Sequence, residues 1–162
     1  MSLTILGTGS AMPEKRLTNE ELTHMVDTSD EWIVTRTGIH ERRIITTETL
    51  SGLGARALAL ALEDAGCAPE ELELILCTTV RGDTATPALA NMIEQELRIE
   101  CPAMDINGAC AGFIAALDVA AAYLASGRVK RMAIVSAEAL SFLTDWTDRS
   151  TCVLFGDGAG AV

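Results

Sequence analysis

Residues 102–127, PAMDINGACAGFIAALDVAAAYLASG, hold two periodicities joined by a turn of small residues. The spacing predicts a strand over 102–107 and a strongly apolar helix over 111–126, closed by Gly127. RMAIVS at 131–136 predicts another strand. Working outward, LELILCTT at 72–79 reads as a buried strand, and residues 50–65 as a Leu/Ala helix ended by Gly66 with Pro69 beyond. Such an order of elements predicts an α/β layered domain with a mixed, mostly parallel sheet.

The flanks follow local rules. Thr18-Asn19-Glu20-Glu21 is a capping-box pattern, and Ser29 opens a short helix that stops near Gly38. Thr86-Pro87 reads as an N-cap with proline at the first helical position, before the apolar face Leu89, Met92, Ile93 and Leu97. LTILGT at 3–8 and CVLF at 152–155 read as strands, the latter running into GDGAGAV. No repeat, low-complexity tract or linker interrupts the chain.

Composition narrows the function classes. At 162 residues, 49% hydrophobic and 22% charged, the chain is long enough for one domain with a real core and unlike a disordered one. No apolar run reaches the roughly 18 residues of a membrane helix. The start, MSLTILGTGS, has no signal-peptide pattern, so a cytoplasmic location is expected. A net charge of −11 leaves no basic footprint for nucleic acid. An anionic ligand must therefore be held by a few arginines or a helix N-terminus. Five cysteines, an odd number without a CxxC pair, and two histidines fit neither a disulfide framework nor a metal site.

Asn107-Gly108-Ala109-Cys110-Ala111-Gly112-Phe113 places a thiol where a strand hands over to a helix. Little side-chain bulk surrounds it, which is the logic of a nucleophile elbow, and a helix N-terminus favours an anion. The plain alternative is a cysteine that merely packs a tight junction. Cys67, Cys77, Cys101 and Cys152 read as structural, the last as the start of a strand.

Four stretches extend the argument: DTSDEWIVTRTGI at 27–39, ACAGF at 109–113, TDR at 147–149 and FGDGAGA at 155–161. In this order and spacing the chain resembles β-ketoacyl-acyl-carrier-protein synthase III, a thiolase-fold condensing enzyme. The resemblance implies that 1–162 is the thiolase-like N-terminal half of a five-layered α-β-α-β-α sandwich, with the C-terminal half absent. It implies a homodimer acting on acyl-coenzyme A and acyl-carrier protein, without a cofactor.

In that family the cysteine, here Cys110, accepts an acyl group; decarboxylated malonyl-acyl-carrier protein then attacks the thioester to begin a fatty acid. By the same resemblance Trp32 and Arg149 flank the adenine of coenzyme A, while Thr28 lines that tunnel. Arg36 contacts a base or phosphate, and Thr86 borders the acyl pocket at the dimer interface. Thr86 is smaller than the phenylalanine of the best-known bacterial members, which implies tolerance of starters longer than acetyl. The family's catalytic histidine and asparagine lie in its second half; His24 and His40 match neither and are expected to be structural or solvent-facing. A polyketide or long-chain condensing enzyme, or a non-catalytic acyl-binding or dimerisation half, remain as alternatives.

Overall fold

The computed structural model describes residues 3–162. Its elements run β1 (Gly9–Ala11), β2 (Lys15–Thr18), α1 (Asn19–Thr23), α2 (Asp30–Thr37), β3 (Glu41–Ile44), α3 (Leu50–Ala65) and β4 (Ile75–Thr78). Then follow α4 (Leu89–Leu97), β5 (Ala103–Ile106), α5 (Gly112–Ala125), β6 (Ala133–Ala139), α6 (Arg149–Cys152) and β7 (Asp157–Ala161). Five strands form one sheet in the order β1-β7-β6-β4-β5. Parallel pairing joins β4 to β5 and β6, whereas β7 is antiparallel to both β6 and β1. β2 and β3 form a separate antiparallel pair, which the sequence reading missed.

Alternation along the central strands divides the core. Ile75 and Cys77 of β4 pack with Leu58 of α3 and Ile93 of α4 on one face of the sheet. Leu74 and Leu76 pack with Ala116 and Ala120 of α5 on the other. Helices on both faces explain why β4 is buried at every position, giving a continuous apolar run. Fully burying each such side chain contributes about 1.5–3 kcal/mol. A third, smaller cluster of Leu22, Ile33, Cys152 and Val153 joins α1 and α2 to α6.

Local signals are realised as read. Thr18 and Glu21 form the capping box of α1, Ser29 caps α2, and Gly38 (φ 73°) and Gly66 (φ 59°) end α2 and α3 in the left-handed region. Three expectations fail. Residues 3–8 are not a strand; sheet pairing begins at Gly9, and the Thr8 N–H before it donates to Asp64 Oδ2 of α3 at 2.8 Å rather than to a strand. CVLF at 152–155 is not a strand either. Asp148 caps the short helix α6 by accepting from Ser150 N at 2.8 Å, and the ladder forms at DGAGA instead. Packing rather than strand propensity explains these residues: Ala159 and Ala161 pack in the core with α3, and a Cβ on Gly158 would lie 2.7 Å from Met12 Sδ. On the neighbouring β1, a Cβ on Gly9 would lie 2.2 Å from the Ala57 carbonyl oxygen of α3. Finally, Thr86 does not cap α4. Its peptide bond to Pro87 is cis, the helix starts at Leu89, and the Asp105 carboxylate of β5 accepts from Leu89 N and Ala90 N, each at 2.8 Å.

Candidate active site

The carboxyl ends of the parallel strands β4, β5 and β6 open at one end of the sheet, where ligands bind in layered α/β folds. β7 runs back from that end, its Asp157 opposite Ala139 of β6. All the loops carrying the candidate residues Cys110, Thr86 and Arg149 therefore leave the sheet there.

Cys110 follows β5 in a single 3₁₀ turn, Ala109–Ala111, that leads directly into α5. The turn is tight. Ala109 takes φ 47°, a conformation that costs an L-residue with a Cβ about 1 kcal/mol. A Cβ on Gly108 would lie 2.9 Å from Gly112 Cα, and one on Gly112 only 3.2 Å from Thr78 Cβ. Strain and close approach at successive positions are the features of an elbow that lifts one side chain outward. Cys110 is exposed, the only one of the five free cysteines so placed. Burial pushes the thiols of Cys67, Cys77, Cys101 and Cys152 up, so none of these four is a ready thiolate.

A relay of polar contacts fixes the elbow. Glu138 of β6 accepts from Val80 N at 2.9 Å, and Asn107 donates its side-chain amide to Val80 O at 3.3 Å. Asn107 Oδ1 in turn accepts from Ala109 N at 3.4 Å. Burial raises the Glu138 carboxyl above its ordinary range, opposed by the Val80 N–H. Asp157, buried at the start of β7, accepts from Ile45 N at 2.7 Å, Ser141 N at 2.9 Å and Ser141 Oγ at 2.6 Å, tying two further loops to this end.

Trp32, Arg36 and Arg149 come together at one surface. The Arg36 and Arg149 guanidinium carbons lie 4.5 and 4.9 Å from the Trp32 ring centroid. Arg149 also donates to Asp27 O at 2.9 Å. The Thr28 hydroxyl beside this stretch is buried without a hydrogen-bond partner among the described residues. Arg42 anchors the assembly. Buried to 5% exposure, it donates to Leu17 O, Asn19 Oδ1 and Val153 O at 3.1, 2.8 and 3.1 Å. Asn19 in turn donates to Asp30 Oδ1 and Ile39 O at 2.8 and 2.7 Å, so the two ends of α2 are bolted to the segment carrying Arg149. Planar cationic and aromatic groups at one surface suit a nucleobase and its phosphates.

Among the described residues no hydrogen bond or ion pair joins this patch to Cys110 or to Thr86, which is exposed on the loop between β4 and α4. His24 and His40 are exposed and lie outside the elbow. Among the described residues no cluster of His, Cys, Asp and Glu is arranged to hold a metal. Sequence reasoning overlooked Arg42, Asn19, Asn107, Glu138 and Asp105, because each acts on a partner distant in sequence. Only Asn107, adjoining the small-residue turn, carried a local signal.

A family profile described as 3-oxoacyl-[acyl-carrier-protein (ACP)] synthase III matches residues 104–162. The chain is 49% identical over 162 residues to the beta-ketoacyl-[acyl-carrier-protein] synthase III of Clostridium acetobutylicum, covering 99% of this chain and 50% of that protein. The crystal structure of 3-oxoacyl-[acyl-carrier-protein] synthase III from Aquifex aeolicus VF5 superposes with TM-score 0.95 at 49% identity, over 98% of this chain and 52% of that one. The priming beta-ketosynthase of the R1128 polyketide pathway gives TM-score 0.92 at 40% identity, over 97% of this chain and 48% of that one. The chain spans about half the length of the curated relatives it matches. The thiolase-like fold implied by the resemblance is borne out.

Proposed function

We propose, from the likeness of this chain along its whole length to half of the β-ketoacyl-acyl-carrier-protein synthase III relatives, that Cys110 is the acyl-carrying nucleophile of such a condensing enzyme. The observation that carries this reading is the exposed thiol on a strained elbow at the carboxyl end of a parallel sheet. The Cys110 sulfur attacks the carbonyl carbon of an acyl-coenzyme A thioester. A new carbon–sulfur bond forms, the old one breaks, and coenzyme A leaves as its thiolate. Covalent capture divides one hard carbon–carbon bond formation into two easier steps. The Cys110 N–H supplies one donor to the oxyanion. Malonyl-acyl-carrier protein then loses carbon dioxide, and its carbanion displaces the Cys110 thiolate to give a 3-oxoacyl product. Donors for that second step are expected outside these residues, so the 162-residue chain alone does not condense.

In this reading Trp32, Arg149, Arg36 and Thr28 receive coenzyme A. A base held between Trp32 and Arg149 needs roughly 7 Å, two contact distances of about 3.5 Å. The present 4.9 Å is too short, so the Arg149 guanidinium swings away from the ring on binding. Acyl-coenzyme A is substrate and no cofactor is required. Acyl-carrier protein as second substrate, a homodimer with Thr86 at the acyl pocket, and a cytoplasmic location complete the proposal.

Intact-mass measurement after incubation with acetyl- or octanoyl-coenzyme A tests it. One acyl group is expected, mapped to Cys110 and lost in Cys110→Ser, with octanoyl transfer at least as fast as acetyl because Thr86 is small. Folded protein without adduct sinks the enzyme reading in favour of a binding or dimerisation half. A strict acetyl preference removes Thr86 from the pocket. The likeness to a priming polyketide synthase favours one second reading, the same acylation serving a polyketide starter. Acceptor preference separates the two.

A further inference from the structure

The loop of residues 79–88, which joins β4 to α4 and carries Thr86, is held as one stiff piece. Asp83 accepts from Leu50 N and Ser51 N at the start of α3, at 2.9 and 2.8 Å. Asp105 of β5 fixes the far end through Leu89 N and Ala90 N. The loop also closes on itself: a Cβ on Gly82 would stand 3.2 Å from Leu89 Cβ, and Thr84 Oγ1 donates to Pro87 O at 3.2 Å. At the near end the ladder stops with Thr78 opposite both Ile106 and Ser136, followed by Thr79 N donating to Ile106 O at 3.3 Å. Val80 comes next, and side chains replace the ladder there, Glu138 at its N–H and Asn107 at its carbonyl.

The elbow itself is held by short-range bonds. Ala111 N donates to Gly108 O at 3.0 Å, and Gly112 N donates to Ala109 O. Among the described residues, the Asn107 side chain alone joins this turn to another segment by a hydrogen bond. Its amide uses both ends. Oδ1 accepts from the N–H two residues on, as in an Asx turn, while Nδ2 reaches Val80 O, 27 residues away in sequence. Serine in its place keeps an acceptor for Ala109 N but has no donor that reaches Val80.

We infer that Asn107 is a positioning residue for Cys110, carrying the stiffness of the 79–88 loop into the elbow and keeping the thiol in register with that loop. Glu138 assists by holding Val80 at its other polar group. The inference deepens the acyl-transfer reading and rests on it for what the thiol does. Displacing a reacting group by about 1 Å costs up to about a hundredfold in rate. Loss of the tie therefore slows acyl transfer without weakening the binding of coenzyme A at the distant Trp32 patch. Burial already favours the neutral form of the Glu138 carboxyl, so glutamine there preserves the acceptor for Val80 N.

Acylation of the 162-residue chain by acetyl-coenzyme A, followed by intact mass, tests this. Asn107→Ser and Asn107→Ala are each expected to slow acylation at saturating acetyl-coenzyme A at least tenfold, with the half-saturating concentration within threefold. Glu138→Leu slows it at least fivefold, and the conservative Glu138→Gln restores most of that loss. Glu138→Leu added to Asn107→Ala brings no further loss, since both release the same Val80. Asn107→Ser at the unaltered rate overturns the inference, and so do losses that multiply in the double variant. Amide exchange separates this inference from the reading beneath it. The Ala111 N–H exchanges at least fivefold faster in both Asn107 variants, while Leu89, held by Asp105, is unchanged. Faster Ala111 exchange in a chain that takes up no acyl group even without substitution upholds the tie and sinks the acyl-transfer reading. Ala111 exchange equal in all chains overturns the tie, whatever the acylation shows.

Discussion

The conformation of Ala109 makes the elbow accessible to a residue-level test. Its φ of 47° is one that glycine adopts freely and β-branched residues resist. Ala109→Gly is expected to leave the fold intact and to stabilise it by about 0.5 kcal/mol, strain relief being partly offset by chain entropy. Ala109→Val is expected to destabilise by about 1–2 kcal/mol, read as shifted denaturant midpoints. Equal midpoints for the three proteins would remove the strain from the account of the elbow. At this scale the sequence was informative where causes are local. Cys110 sits inside its own signature of small residues, and Trp32 and Arg149 were reached only through the resemblance. Arg42 gave no sign, because its worth lies in three acceptors from separate segments, one of them 111 residues away.

Between elements, glycine sets how closely α3 approaches its neighbours. A Cβ on Gly54 would stand 2.5 Å from Ile93 Cδ1 of α4. Gly54→Ala is therefore expected to cost about 1–3 kcal/mol by overpacking. Adding Ile93→Val, which removes that methyl, recovers part of the loss in a double-mutant cycle. Additive losses would argue that the two helices do not compete for this space.

Loops between elements carry the acid response. Glu48 accepts from the N–H groups of Glu14, Thr46 and Thr47 at 2.8, 3.2 and 3.3 Å, which hold its carboxyl down at about 2. Glu21, bonded to Lys15 and Thr18, is likewise held at about 2. A carboxyl lowered by folding stabilises the native state above its ordinary value of 4.5, and that contribution fades as pH falls toward 2. Glu138, raised by burial, acts oppositely, and its contribution fades as pH climbs above 4.5. Denaturant midpoints are expected to fall between pH 4.5 and 2, less steeply in Glu48→Gln. An identical slope would show that the turn does not hold this carboxylate. The same scale shows why some elements were misread. The caps at Thr18, Ser29, Gly38 and Gly66 are local and were recovered, whereas the start of α4 answers to Asp105 of β5 and β7 is a strand of glycine and alanine whose alanines pack in the core with α3.

For the molecule as a whole, the outward face of α5 matters most. The helix buries only Gly112, Ala116 and Ala120, while Ile114 is 66% exposed. A helix apolar on every side calls for cover on every side. The chain is expected to associate as its concentration rises despite a charge of −11, and Ile114→Glu to weaken that association about tenfold or more by sedimentation. An unchanged association constant would place the contact elsewhere. The layered α/β class was legible from the order of elements, and its mixed character only in part, because antiparallel β7 was assigned to the wrong residues.

The seam where Gly7 and Gly9 lie against the backbone of α3 has a consequence for how such a sequence drifts over generations. A single methyl there collides with main-chain atoms that have nowhere to retreat, so inherited change at the seam is purged. The patch around Trp32 is instead suspended by Arg42 from the carbonyls of Leu17 and Val153, two acceptors that belong to the main chain and need no particular side chain.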